Sequence, residues 1–311
     1  MTPRDRAAAE PIAMRSPGVA GVVAWVPGDG RGAIGALPDG VVLVDEPSPA
    51  VRFAVPAWGV DFDPATMPAL EVVQVRSAGV DWIVDRIPAG VTLCGARGTR
   101  DAAMAEWVVA ALLADLKGVR PFAEAQAGRR WERRDIGDLH GLKVLLLGYG
   151  SIGREAQRLL AAFGSEVRGV ARRARDGVAG IDALGALLPW ADAVVNLLPL
   201  TDATRGMVDA PMLAAMRDGA LYVSAGRGPT TDTYALLAEL QAGRLRAVLD
   251  VVDSEPLPPG HPLWQAPGVL ISPHVAGDTP GSDRAAWALV GEQLGRFARG
   301  EPLVNVVTEG Y

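Results

Sequence analysis

A single cysteine, Cys94, leaves no partner for an internal disulfide, so the fold cannot depend on an oxidising compartment. Hydrophobic residues make up 49% of the chain, yet no uninterrupted run approaches the ~20 residues of a membrane-spanning helix. Positive charge is in short supply. The 30 Lys and Arg stand against 36 Asp and Glu, a formal net charge of −6, and no polybasic tail is present. That balance argues against a nucleic-acid or anionic-membrane surface. Residues 1–16 carry arginines and alanines without an apolar core segment, so they read as a poorly packed lead-in rather than a secretory signal. These absences leave a soluble cytoplasmic protein as the expectation, and 311 residues suggest about two domains.

What is present is organised around one stretch. Residues 144–147 form a short apolar run, which predicts a buried parallel strand. It runs into Gly148, Gly150 and Gly153, spaced as in a dinucleotide fingerprint, with Ser151 and Ile152 between the last two. Gly148 permits the tight turn, Gly150 lets backbone approach a pyrophosphate, and Gly153 lets a following helix, predicted over 154–163, pack on the strand. Phosphates then meet the free N–H groups of the helix N-terminus. A second strand is expected at 166–170.

Before this stretch, apolar runs at 19–26, 41–44, 51–55, 72–75 and 91–94 read as strands of a separate α/β domain, with helical or loop segments between them. Residues 76–81 look like a strand end passing into a small-residue loop, where the N–H groups of Ala78 and Gly79 can face a ligand. Residues 102–116 predict a long buried helix and 128–141 a solvated connector, with His140 a surface residue. After the fingerprint, strands at 193–197, 220–224, 247–252 and 269–272 end in polar loops that carry Arg227, Glu255 and His274. In open α/β sheets ligands bind at the carboxyl ends of the strands, so these three are candidates for one site. A last helix is expected over 283–299, with the tail 303–307 returning to the first domain.

A dinucleotide fingerprint points to hydride transfer, and reducing a carbonyl requires a proton donor for the developing alkoxide and a cation to polarise the carbonyl. His274 suits the first role because imidazole titrates near physiological pH. Glu255 would orient it and favour its charged form. Arg227 offers a planar fork that a lysine lacks.

Ser77-Ala78-Gly79-Val80-Asp81, Ala105-Glu106-Trp107, the fingerprint, Leu198-Pro199-Leu200-Thr201 with Thr204, Gly226-Arg227-Gly228, Asp250-Val251 with Glu255-Pro256-Leu257, His261-Pro262-Leu263-Trp264, and Ser272-Pro273-His274 with Ala276-Gly277 stand in order along the chain. From about Val19 to Val307 this pattern resembles the D-isomer-specific 2-hydroxyacid dehydrogenases. The resemblance implies an α/β fold in which a Rossmann domain with a doubly wound parallel sheet, here 102–283, is inserted into a discontinuous flavodoxin-like substrate domain, 1–101 plus 284–311, with a cleft between them. It also implies a homodimer and reduction of a small 2-oxo acid, as in glyoxylate or hydroxypyruvate reductases. Catalysis would fall to Arg227, Glu255 and His274, and the substrate carboxylate to the N–H groups of Ala78 and Gly79. The cofactor would meet Gly148, Gly150, Ser151, Ile152, Gly153, Leu198, Pro199, Thr204, Ala225, Gly226, Arg227, Asp250, His274 and Ala276. No metal is implied.

Two departures stand out. NAD-dependent members place an acid after the second strand to hold the ribose 2′-hydroxyl. This chain has Ala171 followed by Arg172, Arg173 and Arg175. Arginines pair with a 2′-phosphate that an acid would repel, so NADP(H) is favoured over NAD(H). If the arginines are only surface charge, the cofactor is NAD. Thr231-Asp232-Thr233 is more polar than the family pattern and leaves that local loop open. Two other functions remain compatible: a non-catalytic NAD(P)-sensing module, disfavoured because all three catalytic candidates are present, and a phosphite-type dehydrogenase on the same fold. Some of Trp58, Trp82, Arg76 and Trp287 are expected among the side chains beside the cleft.

Overall fold

β-Branched runs punctuated by Pro, Gly and Asp become the strands of one parallel sheet in the computed structural model, which describes residues 21–28 and 30–308. The expectations for residues 1–16 and for the first two residues of the predicted strand at 19–26 lie outside the described residues. The strands are β1 (Val22–Trp25), β2 (Val41–Val44), β3 (Val51–Ala54), β4 (Val72–Gln74) and β5 (Thr92–Cys94). They lie in the order β2-β1-β3-β4-β5, the flavodoxin-type arrangement, and every pairing is parallel.

The chain divides into two compact units. The smaller holds the residues up to Val75, Arg86–Cys94 and Trp287–Val306; the larger holds Arg76–Asp85, Gly95–Ala286 and the residues from Val307. In the smaller unit, the described connectors between strands carry no α-helix. Cover comes instead from the end of the chain. Trp287, Val290, Leu294 and Phe297 pack with Val22, Ala24, Phe53 and Val55. Trp287 is only 2% exposed, which removes it from the side chains of which some were expected beside the cleft: its indole fills the space left by Gly30, where a Cβ would overlap it. Buried Gln293 pins the tail, donating to Val304 O at 2.8 Å and accepting from Val304 N at 2.9 Å.

In the larger unit, α1 (Asp101–Leu116) and α2 (Val119–Ala127) precede β6 (Lys143–Leu147), α3 (Ser151–Ala162), β7 (Glu166–Ala171) and the two-residue β8 (Ala179–Gly180). Then follow α4 (Leu184–Leu187), β9 (Ala193–Asn196), α5 (Ala210–Ala215), β10 (Leu221–Ser224), α6 (Thr233–Gln241), β11 (Arg246–Leu249) and β12 (Val269–Ile271). The last helix, α7 (Pro280–Ala298), begins in this unit. The sheet order is β12-β11-β10-β9-β6-β7-β8, all parallel. Numbered within the sheet this is the doubly wound 3-2-1-4-5-6 order extended by one strand, with the direction of winding reversing between β6 and β9. Helices bury both faces. Ala105, Val108 and Leu112 of α1 and Ala156 and Leu160 of α3 cover one, while Leu213 of α5 and Leu236 and Leu240 of α6 cover the other.

Candidate active site

At the reversal, Leu147 of β6 lies opposite Asn196 of β9, so the fingerprint turn and the loop after β9 emerge side by side. Gly148 adopts φ +86°, and a Cβ there would come within 2.7 Å of Leu197 O. Both facts require glycine. Gly150, the N-cap of α3, offers no side chain to its first N–H groups, which begin at Ser151 and continue through Ile152 and Gly153. Ser151 Oγ meets Asp101 Oδ1 at 3.1 Å. This end of α3 has the donors an anion needs.

The neighbouring loops are tied down by hydrogen bonds. Buried Asn196 accepts from Leu198 N at 3.0 Å through Oδ1 and donates through Nδ2 to Tyr222 Oη at 2.9 Å and Thr230 Oγ1 at 2.8 Å. Tyr222 Oη and Thr231 Oγ1 lie 2.6 Å apart, and Thr230 donates to Arg227 O at 2.6 Å. Thr231 therefore belongs to a buried network, and Asp232 caps α6 by accepting from Tyr234 N and Ala235 N, both at 3.0 Å. That explains the polar run the sequence left open. Thr204 Oγ1 donates to Pro199 O at 2.6 Å and closes the turn after Leu198. Ala225 and Gly226 follow β10, and a Cβ on Gly226 would approach Leu198 O to 2.5 Å.

His274, Glu255 and Arg227 come from the ends of three successive strands. His274 Nδ1 and Glu255 Oε2 are 2.7 Å apart, and Glu255 Oε1 accepts from Val252 N at 3.1 Å. The two side chains are 39% and 32% exposed, open enough for a substrate yet shielded enough for their charges to be felt. The hydrogen bond to Glu255 pushes the His274 imidazole above its ordinary value. Burial opposes the rise, the Glu255 charge adds to it, and Arg227 and Asp250 exert smaller opposite effects. Burial alone would push Glu255 up, but the bond and charge of His274, the Val252 N–H and the Arg227 charge hold its carboxyl below the usual range.

His274 sits at φ +54°, in the left-handed region. Asp250 holds it there. Its Oδ1 accepts from Ser272 Oγ at 2.6 Å and Val275 N at 2.9 Å, its Oδ2 accepts from Ala276 N at 2.9 Å, and its carbonyl takes His274 N at 2.8 Å. Both carboxylate oxygens of Asp250 are thus engaged within the chain.

Arg227 faces the loop after β4. Its Nε donates to Asp81 Oδ1 at 3.1 Å and its Nη1 to Gly226 O at 2.9 Å. A Cβ on Gly79 would overlap Nη2, so the guanidinium lies against the bare Cα of the residue predicted to contact a carboxylate. The loop is braced: Trp82 Nε1 donates to Ser77 Oγ at 3.1 Å, which donates to Gly79 O at 2.6 Å. The roles of Asp81, Asp250 and Asn196 were not apparent from sequence, since each depends on a partner far along the chain. Asp81 and Asp250 each carried a signal, their places in the quoted motifs, while Asn196 carried none.

Ala171 ends β7, and Arg172 and Arg173 follow it on the exposed surface. Arg175 donates to the carbonyl of Tyr149 in the fingerprint turn. Trp58 is 66% exposed, and Arg76 pairs with Asp283 at 3.0 Å. No helix of the described residues is long and apolar enough to cross a membrane, and no metal-binding cluster occurs among them.

Residues 109–276 match the family model described as D-isomer specific 2-hydroxyacid dehydrogenase, NAD binding domain. Glyoxylate/hydroxypyruvate reductase A of Serratia proteamaculans is 31% identical over 272 residues, 83% of this chain and 81% of that protein. Among solved structures, a D-isomer specific 2-hydroxyacid dehydrogenase from Xanthobacter autotrophicus in complex with NADPH and MES superposes with a TM-score of 0.81 at 32% identity, covering 93% of this chain and 98% of that one. An NADPH-dependent glyoxylate/hydroxypyruvate reductase from Sinorhizobium meliloti in complex with NADP and sulfate gives 0.81 at 30% identity, covering 92% and 98%.

Proposed function

This chain belongs to the D-isomer specific 2-hydroxyacid dehydrogenases, and from that premise we propose that it reduces a small 2-oxo acid of the glyoxylate or hydroxypyruvate kind with NADPH in preference to NADH. The observation that carries the reading is the 2.7 Å contact of His274 Nδ1 with Glu255 beside Arg227, at the strand edge that also bears the fingerprint. A bound nicotinamide supplies the hydride. The chain supplies the rest. With Nδ1 donating to Glu255, Nε2 of His274 is the atom left to give a proton to the carbonyl oxygen, or to take one from the hydroxyl in the reverse direction. Glu255 keeps the imidazole charged and oriented. Arg227, with the N–H groups of Ala78 and Gly79, receives the carboxylate and polarises the carbonyl.

The cofactor reading rests on features of this chain. The uncapped start of α3 and the glycines at 148 and 150 suit a pyrophosphate. Ala171 presents no carboxylate to a 2′-phosphate, and Arg172 and Arg173 are exposed beside it. Asp250, with both carboxylate oxygens engaged, supports cofactor binding by shaping the loop that carries His274 and Ala276. In the same reading, residues 102–283 form the dinucleotide-binding domain, and the protein works in the cytoplasm as a homodimer.

The test is NADPH oxidation with glyoxylate, hydroxypyruvate, pyruvate, phenylpyruvate and 2-oxoisovalerate, with phosphite as a separate arm. Turnover of a 2-oxo acid is expected, and loss of about 10²–10⁴ in rate for His274→Ala with NADPH affinity nearly unchanged. Turnover of phosphite alone, or cofactor binding without turnover of any of these, would replace the reading.

A further inference from the structure

We propose that Asp81 is a positioning residue for carboxylate recognition: it seats the Arg227 guanidinium so that its open edge faces the substrate. This rests on the reading of Arg227 as the carboxylate clamp. A guanidinium has five N–H donors. In this chain the Nε–H goes to Asp81 and one Nη1–H to Gly226 O, at 3.1 and 2.9 Å. Three remain, two on Nη2 and one on Nη1, along the edge that forms a bidentate pair with a carboxylate. Both side chains of the Asp81–Arg227 pair are 22% exposed, so the contact is shielded on each side and its geometry is well defined.

Two further observations fix where the open edge lies. Nη2 occupies the volume that any side chain at 79 would fill, which places it beside the backbone of Gly79. The Trp82–Ser77–Gly79 hydrogen bonds hold that backbone still, so Asp81 and the loop it stands on are one rigid seat. Without Asp81 the guanidinium keeps only its bond to Gly226 and swings about its long side chain. A negative charge so close to a substrate carboxylate is unfavourable in itself. Its presence therefore points to orientation, with the acceptor oxygen rather than the charge as the useful feature.

The experiment compares Asp81→Ala, which removes the acceptor, with Asp81→Asn, which keeps an acceptor oxygen without the charge. For Asp81→Ala, KM for the preferred 2-oxo acid and the inhibition constant of oxamate are expected to rise about 10- to 100-fold, with kcat changed much less and NADPH affinity unchanged. Asp81→Asn should restore most of the loss. Gly79→Ala displaces Nη2 from the other side and crowds Asp81 Oδ1 at 2.9 Å, so both members of the pair have to shift, and it should show the same KM-dominated defect. Unaltered KM in Asp81→Ala overturns the proposal. So do equal losses in the Asn and Ala variants, which would make charge the feature that matters, and a parallel fall in NADPH affinity, which would make the role merely structural. Arg227→Lys is the separate control: if it leaves oxamate binding intact, the clamp reading fails. If it weakens oxamate while Asp81→Ala does not, only the seat fails.

Discussion

Glu255 is held at both oxygens, one by His274 and the other by Val252 N, so it cannot turn away from the imidazole without giving up a backbone bond. In the proposed mechanism this makes it the control on the pH range of catalysis. Reduction needs the charged imidazole, and because the His274 pKa is raised, that form persists above the pH at which an ordinary histidine loses its proton. Glu255→Gln removes both the charge and the best acceptor. The alkaline limb of kcat/KM for reduction should then shift to lower pH, and the acid limb for oxidation should shift in the same direction. An unmoved alkaline limb would show that another group governs the profile. The same sign applies to stability: the contribution of the charged imidazole is complete below its unfolded pKa while Glu255 stays ionised, and is lost as pH rises through the raised folded value.

At this scale the sequence was legible where chemistry and position coincide. Arg227, Glu255 and His274 each follow an apolar strand, and that order alone brings them to one edge. Asp81 was not legible as a partner, because 146 residues separate it from Arg227. Nor does the sequence say which of Trp58, Trp82, Arg76 and Trp287 stays exposed: the burial of Trp287 depends on its facing a glycine 257 residues earlier, Gly30.

At the scale of elements, strands were readable wherever valine and leucine ran together, because parallel strands covered on both faces need no polar alternation. The helices were less so. α6 begins at a signal that was present, Asp232 before an apolar run, but the polar triplet around it looked like an irregular loop. α2 starts from Gly118 in a left-handed conformation without a side-chain cap, and nothing in its sequence announces it. Beneath these elements, Asn196, Tyr222, Thr230 and Thr231 form a polar patch in an otherwise apolar interior. Burial pushes the Tyr222 phenol upward, while its bonds to Thr231 and Asn196 pull it down by less, so the hydroxyl stays protonated and shared. Thr231→Val and Tyr222→Phe should each cost about 1–2 kcal/mol in urea unfolding, by stranding a buried partner. The double variant should cost clearly less than the sum, because both partners of one bond are then gone. Strict additivity would mean that the two hydroxyls do not share that bond.

At the scale of the whole molecule, ligand binding and folding are linked, and in the proposed reading the residues after β7 decide which cofactor counts. A ligand present at a hundred times its Kd stabilises the folded state by about 2.7 kcal/mol. NADPH should therefore raise the unfolding temperature more than NADH at equal concentration, with the gap closing as salt screens the arginines. Ala171→Asp combined with Arg172→Ile should reverse the order, since an acceptor for the ribose replaces a partner for the phosphate. Equal shifts for the two cofactors in the unaltered protein, at low salt, would return Arg172 and Arg173 to the status of solvated surface charge.

The path of the chain between its two units has a consequence for inheritance. It passes from one to the other at 75/76, 85/86, 94/95, 286/287 and 306/307. The long segment Gly95–Ala286 is a single block of coding sequence that contains the fingerprint, the arginines after β7, Arg227, Glu255 and His274. The loop with Gly79 and Asp81 is encoded apart from it. In the proposed reading, a crossover between related genes at residue 95 therefore transmits cofactor choice and proton chemistry together while the loop with Gly79 and Asp81 stays with the recipient. Every such recombinant sets a newly acquired Arg227 against a resident Asp81, and natural selection then judges the fit of that one pair.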